Sequence, residues 1–236
     1  MRKRLITLVT LICLLVGCDP FEYTHDIFKV LRRNSAAEIV GLTEEGQKRE
    51  IVVFPSKIPG FDNVNIGNAG YFKMTIESEN LKVAIIEHVN MICGGVFQHI
   101  TKGVEGNKVI IVLNSLYQIK FESEFIAGGD NRIVVPFEIF DDYYDSDFGF
   151  YPEYKDNYEE SRVSFYYNFE NSPNDNLYRI SYDEELEMIT RPDDPKRRGY
   201  DFVGWYLETE GTSVFDFLSD SNKDVTNTKL YAKWKK

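Results

Sequence analysis

Asn80-Leu81-Lys82-Val83-Ala84-Ile85-Ile86 is the stretch on which the reading of the fold turns. Its last four residues form an apolar run too short for a helix and too continuous for a surface strand. The same pattern recurs on both sides, in Ile51-Val52-Val53-Phe54-Pro55, Val64-Asn65-Ile66-Gly67, Met74-Thr75-Ile76, Val109-Ile110-Ile111-Val112 and Ile133-Val134-Val135-Pro136. Gly, Asn and Pro separate these runs, and none keeps a 3.6-residue period over three turns. Many short strands with regular turn signals predict an all-β or solenoid fold between about Ser35 and Asn157.

Three pieces of this region carry a family resemblance. Gly41-Leu42-Thr43 through Ile66-Gly67, with Ile51 to Ile58 inside it, resembles the entry turn of BspA-like leucine-rich repeats. Asn80 to Ile86, followed by Val89, Ile92, Gly94, Val96 and Phe97, is similar to that family's unit: a leading Asn-Leu, a short strand, a turn, then a Gly-containing segment ending in Phe. Ile133-Val134-Val135-Pro136, Phe140, Tyr143-Tyr144 and Tyr154-Lys155 resemble the Val-Pro strand and short helix that close such arrays. Residues 98–130 depart from the pattern. The resemblance implies a short leucine-rich-repeat-like β-solenoid over residues 36–157, in which each unit buries one apolar edge against the next. A β-sandwich is the alternative.

A second unit begins near Arg162. Val163 to Tyr167 and Leu177 to Tyr182 read as hairpin partners across the turn-rich Asn171-Ser172-Pro173-Asn174-Asp175-Asn176. Further on come Pro195-Lys196-Arg197-Arg198-Gly199-Tyr200-Asp201-Phe202-Val203-Gly204-Trp205-Tyr206, then Phe215-Asp216-Phe217, then Leu230-Tyr231-Ala232-Lys233-Trp234. These resemble, in order, the three signature elements of the Listeria–Bacteroides, or internalin-type B, repeat. The resemblance implies a small β-grasp, ubiquitin-like module over residues 163–236, of a kind found on bacterial surface proteins.

The residues have their own physical reading. Tyr200, Phe202, Trp205 and Tyr206 alternate with small or polar residues, as in a half-buried strand. Gly199 suits a turn and Gly204 a close backbone approach. Trp205 and Trp234, the two tryptophans, are expected in the core of the module; an aromatic platform for carbohydrate is the alternative.

The N-terminus speaks about location. Arg2, Lys3 and Arg4 precede an apolar run from Leu5 to Val16, interrupted only by Thr7 and Thr10. Such a run is shorter than the about 20 residues of a membrane-spanning helix and has the charge-then-apolar order of a secretion signal. It ends Leu15-Val16-Gly17-Cys18, which resembles the lipobox of bacterial lipoproteins. The resemblance implies a signal peptide over residues 1–17, cleavage between Gly17 and Cys18, and a diacylglyceryl group on the Cys18 sulfur. The alternative is an ordinary signal peptide or short anchor with Cys18 incidental. Residues 18–35 are expected as a tether. Asp19 after the lipidated Cys would favour inner-membrane retention in a bacterium with an outer membrane.

Losing Arg2, Lys3 and Arg4 with the signal moves the formal net charge from −11 to −14. So acidic a chain argues against nucleic acid as a partner, since phosphate contacts need clustered Lys and Arg. Cys13 leaves with the signal and Cys18 is acylated, so Cys93 alone remains, too few for a disulfide or a Cys-based zinc site. With 43% hydrophobic residues and 14% aromatics, the chain can build one large or two modest cores.

Catalytic patterns are sparse. His25, His88 and His99 form no close ligand pair, and Gly-x-Ser-x-Gly and phosphate-cradling Gly-rich loops are missing. Gly94-Gly95 and Gly128-Gly129 read as turns. Asp141-Asp142-Tyr143-Tyr144-Asp145-Ser146-Asp147 offers paired carboxylates but reads as a solvated cap. Asp220 to Thr226 begins like a calcium loop, yet lacks its Gly and carries Tyr231 where the bidentate Glu should fall. The expectation is therefore a non-enzymatic surface protein without a cofactor, held to the membrane by lipid at Cys18 and binding a protein or glycan. A carbohydrate-binding protein, to which the 15 tyrosines lend weight, and an extracellular glycan-acting enzyme using Asp141–Asp147 are the rivals.

Overall fold

The apolar runs become parallel strands, and a sheet covered on both faces explains why they are unbroken. The computed structural model describes residues 22–67, 76–78, 80–93, 97, 109–121, 131–144, 157–182, 189–219 and 225–236. Within them the protein is mainly β. Strands β1 (Glu22–His25), β2 (Phe28–Arg33) and β3 (Ala36–Leu42) form an antiparallel meander. After β3 the chain alternates between two sheets. One sheet continues from β3 with β5 (Asn63–Ile66), β7 (Met91–Ile92) and β9 (Lys120–Phe121), all parallel. The other takes β4 (Ile51–Phe54), β6 (Val83–Glu87), β8 (Ile110–Asn114), β10 (Arg132–Val135) and β11 (Tyr158–Glu160), also parallel. A 3-10 turn (Phe137–Ile139) and the short helix α1 (Phe140–Tyr144) follow β10.

Registers stack like side chains into ladders. Val52, Ala84, Ile111 and Ile133 lie side by side across β4, β6, β8 and β10, with Phe54, Ile86 and Leu113 in the next row. These residues point inward and meet Val64, Ile66 and Ile92 of the facing sheet in one core. Phe28, Phe54 and Phe97 pack in series through it, the first pair tilted and the second edge-on, with ring centroids 5.3 and 5.8 Å apart. Gly67, at φ +88°, ends β5 in a conformation that favours glycine.

Residues 22–33 correct one expectation. They lie in the segment read as a tether, but they form a hairpin built into the first sheet. Phe28 and Val30 are buried in the core, while Lys29, Arg32 and Arg33 between and beyond them gave the segment its polar look. Asp26 and Asn34 take φ of 54° and 53°, which suits the tight turns flanking β2. Met74-Thr75, Gly94 to Val96 and Tyr154-Lys155 lie outside the described residues.

The C-terminal sheet contains β12 (Val163–Tyr166), β13 (Leu177–Ile180), β14 (Asp201–Tyr206) and β15 (Thr228–Lys235), in the order β13-β12-β15-β14. The central pair β12 and β15 is parallel, and the outer strands pair antiparallel. One face closes over Phe165, Ile189, Trp205, Phe215, Leu230 and Ala232. The other face presents Tyr166, Leu177 and Ile180, which pack on Val83, Ile85, Ile110, Val112 and Val134, the outward-facing residues of β6, β8 and β10.

This contact supplies the second cover that a parallel sheet requires. Leu177 is fully buried in it, so Leu177→Ala is expected to lower stability by about 2–5 kcal/mol. Denaturant unfolding of the full chain checks this, and a change under about 0.5 kcal/mol would show that Leu177 does not pack there.

Candidate functional site

The junction between the two sheet systems gathers the polar groups as well as the apolar ones. At one end, Glu138 beside α1 accepts hydrogen bonds from the Tyr166 hydroxyl (2.6 Å) and the Ser164 hydroxyl (2.9 Å), and pairs with Lys229 (3.7 Å). At the other end, Asn114 Nδ2 donates to the Tyr178 carbonyl (3.0 Å), and Asn174 Nδ2 donates to the carbonyls of Asn114 (2.8 Å) and Leu177 (3.2 Å). Glu87 accepts from the Ser56 amide and hydroxyl and pairs with Arg179 at 3.5 Å. Such partly buried hydrogen bonds fix orientation more than they add net stability.

Next to this polar end lies a cleft of about 300 Å³. One wall comes from the loop after β4, the start of β5 and the loop after β6: Ser56, Lys57, Asp62, Asn63, His88 and Asn90. The other wall is the turn Ser172-Pro173-Asn174-Asp175, between β12 and β13. That turn holds Asn171, Asn174, Asp175 and Asn176 at φ of 56°, 49°, 50° and 75°. Residues other than glycine rarely adopt this left-handed region, and Asn and Asp tolerate it best. The turn is tied by Ser172 Oγ and the Asn168 amide, which both donate to Asn176 Oδ1 at 2.9 and 2.8 Å.

His88 shows how the cleft is set. Ser115 Oγ accepts from the Tyr117 amide (3.1 Å) and donates to the Tyr117 carbonyl (2.9 Å). The same hydroxyl lies 2.9 Å from His88 Nδ1, within hydrogen-bond distance. The Tyr117 ring, 54% exposed, stands edge-on to His88 with centroids 5.5 Å apart.

Other residues singled out in the sequence fall as follows. Gly17, Cys18 and His99 lie outside the described residues, as do Asp145 to Asp147 and Asp220 to Asp224. Asp141 and Asp142 are exposed on α1. His25 ends β1 and does not line the cleft. Among the described residues, no three His, Cys, Asp or Glu side chains gather as a metal site.

Trp205 is buried, edge-on to Phe165 at 5.0 Å and stacked near Tyr178 at 5.8 Å. Trp234 is half-buried; its Nε1 donates to the Tyr167 carbonyl at 2.7 Å, and Arg197 lies over the neighbouring Phe169 and Tyr200 rings. Both tryptophans are thus engaged within the module. Gly199 takes φ +77° at its turn. Gly204 differs from the expectation: a Cβ there would meet only the Tyr206 ring at 3.6 Å, an ordinary contact, and the residue marks a shift in the β14–β15 register.

Against known families, residues 162–233 match the model of the Listeria-Bacteroides repeat domain. The match runs from the residue before β12 through β13 and β14 to within β15. No curated protein and no solved structure matches the chain.

Burial holds several phenols above their ordinary value near 10: Tyr143, whose hydroxyl accepts from the Ile119 amide at 2.8 Å, Tyr158, and Tyr166, where the Glu138 carboxylate adds to the effect. Above about pH 10 the unfolded chain loses these protons while the folded chain keeps them, so stability falls as pH rises and is unaffected below. Denaturation midpoints from about pH 9 to 12 should show that decline, and Tyr158→Phe should make it shallower. An equal slope in the variant would contradict the assignment.

Proposed function

We propose that this chain is a lipid-anchored, non-catalytic cell-surface protein that binds or adheres through the two sheet systems it displays. The match of residues 162–233 to the Listeria-Bacteroides repeat domain carries this reading, because repeats of that kind belong to surface proteins. The N-terminal sequence adds the means of attachment: signal peptide over residues 1–17, cleavage after Gly17, and lipid on Cys18. The partner at one end is the membrane; at the other it is a protein or a glycan, and not nucleic acid, given the acidic balance of the chain.

The finer architecture belongs to the same reading. Strand order β13-β12-β15-β14 with a parallel central pair supports a β-grasp module. Alternation of successive strands between two parallel sheets supports a short solenoid of BspA-like leucine-rich-repeat type over residues 36–157. In such an array the side away from the membrane is free to present loops, and loops form most of the cleft described above.

Attachment is tested in cells. Labelled palmitate should enter the protein, and protease added to intact cells should digest it. Cys18→Ser should abolish the label and either release the protein or leave an unprocessed precursor, while the purified variant keeps the unfolding midpoint of the parent. A protein that takes up no label and resists protease on intact cells would sink this reading.

A further inference from the structure

The cleft between the loop after β4, the loop after β6 and the β12–β13 turn has more hydrogen-bonding capacity than the fold consumes. Lys57, Asp62, Asn63 and Asp175 line it without an internal side-chain partner among the described residues. His88, whose Nδ1 lies 2.9 Å from Ser115 Oγ, adds an imidazole to the lining. Asn90 donates Nδ2 to Asn65 Oδ1 at 3.2 Å and keeps its own Oδ1 as an acceptor. Donors and acceptors therefore share one concavity whose walls come from different modules, a common place for a ligand.

From this we infer that the cleft binds a short neutral glycan. The lining selects the ligand class by elimination. Asp62 and Asp175 outnumber Lys57, so a phosphate or carboxylate would meet net repulsion. Val64 and Pro173 are the main apolar contributors, too little surface for a hydrophobic ligand. A polyol fits, because each of its hydroxyls both donates and accepts, as the mixed amide, carboxylate, ammonium and imidazole groups require. About 300 Å³ is at the small end of the range for ligand pockets and suits a terminal sugar or a disaccharide. Tyr117, exposed beside the lining residue His88, is an aromatic ring within reach of a ligand that extends past the cleft.

Preorganisation supports the same assignment. Three consecutive residues, Asn174 to Asn176, are held in left-handed conformations by contacts that reach into both modules. Sparsely populated backbone of this kind persists where the surroundings over-determine it, and ligand clamps are among such places. A wall already fixed loses little freedom on binding.

This inference rests on the proposed surface-binding role and names its ligand class. The full-length chain in detergent is applied to a printed panel of neutral hexose and N-acetylhexosamine oligosaccharides, with sialylated and sulfated glycans on the same slide. Binding to at least one neutral glycan is expected. Asn63→Ala and Asp62→Ala, both at exposed positions, should each weaken it about tenfold. Asn63→Trp, which fills the cleft, should abolish it, and Lys235→Ala, on the far strand pair, should not change it. Unfolding midpoints equal to the parent's confirm that each variant is folded; should Asn63→Trp fail that check, the two alanine variants decide. No binding to any neutral glycan, binding to charged glycans alone, or full binding in folded cleft variants would overturn the inference. Protease digestion on intact cells reads display without any ligand, so a negative panel beside a digested protein removes the glycan cleft and leaves the surface role standing.

Discussion

Burial of the outer face of β6, β8 and β10 is the constraint on which the rest of the structure depends. A parallel sheet whose strands read Val-Ala-Ile-Ile, Ile-Ile-Val-Leu and Ile-Val-Val has no polar side to offer water. The inward rows are closed by the facing sheet. Left open, the outward rows would expose a contiguous patch of Val83, Ile85, Ile110, Val112 and Val134, the kind of surface that drives association. Tyr166, Leu177 and Ile180 close it. The C-terminal sheet is therefore sandwiched chemistry on both sides: one face forms its own aromatic core, the other completes the core of its neighbour.

Polar groups at the two ends of that contact set its angle. Glu138 with Tyr166, Ser164 and Lys229 holds one end, and Asn114, Asn174 and the Glu87–Arg179 pair hold the other. Neither set is a large source of stability by itself, since partly exposed ion pairs contribute little. Their effect is directional, because an amide or carboxylate with its partners fixed permits a single docking of two otherwise greasy faces. The cleft follows from this. Its two walls belong to different modules, and bonds such as Asn174 to Asn114 join one wall to the opposite module.

Much of the fold was legible in short runs of sequence. The β-rich character, the strand at Val83 to Ile86, the hairpin of β12 and β13, and the core position of Trp205 all follow from local patterning. The repeat at the C-terminus was legible because aromatic and glycine spacing is itself the signature. The hairpin at residues 22–33 was not, since Lys29, Arg32 and Arg33 mask an alternation that only Phe28 and Val30 reveal. The junction was missed for a different reason. Unbroken runs such as Ile110 to Leu113 announce that both faces are buried, but they carry no word of what covers them. The cleft was less legible still. His88 could be weighed only as a lone histidine, and its setting by Ser115 and Tyr117 arises from loops 27 residues apart. Asn171 to Asn176 read correctly as a turn, while its role as a wall depends on Asn174 reaching Asn114, 60 residues away.

The parallel pairing of β12 with β15 also has a mechanical meaning. β12 enters the C-terminal sheet at Val163, and β15 runs beside it in the same direction toward Lys235, with Val163 opposite Thr228 and Tyr166 opposite Tyr231. A pull between the chain before Val163 and a load at Lys236 draws these neighbours past each other along their length. All the rungs between them then bear the load together, instead of opening one after another as they would if the strands were peeled apart. A module joined in this way resists stretching better than its modest size suggests.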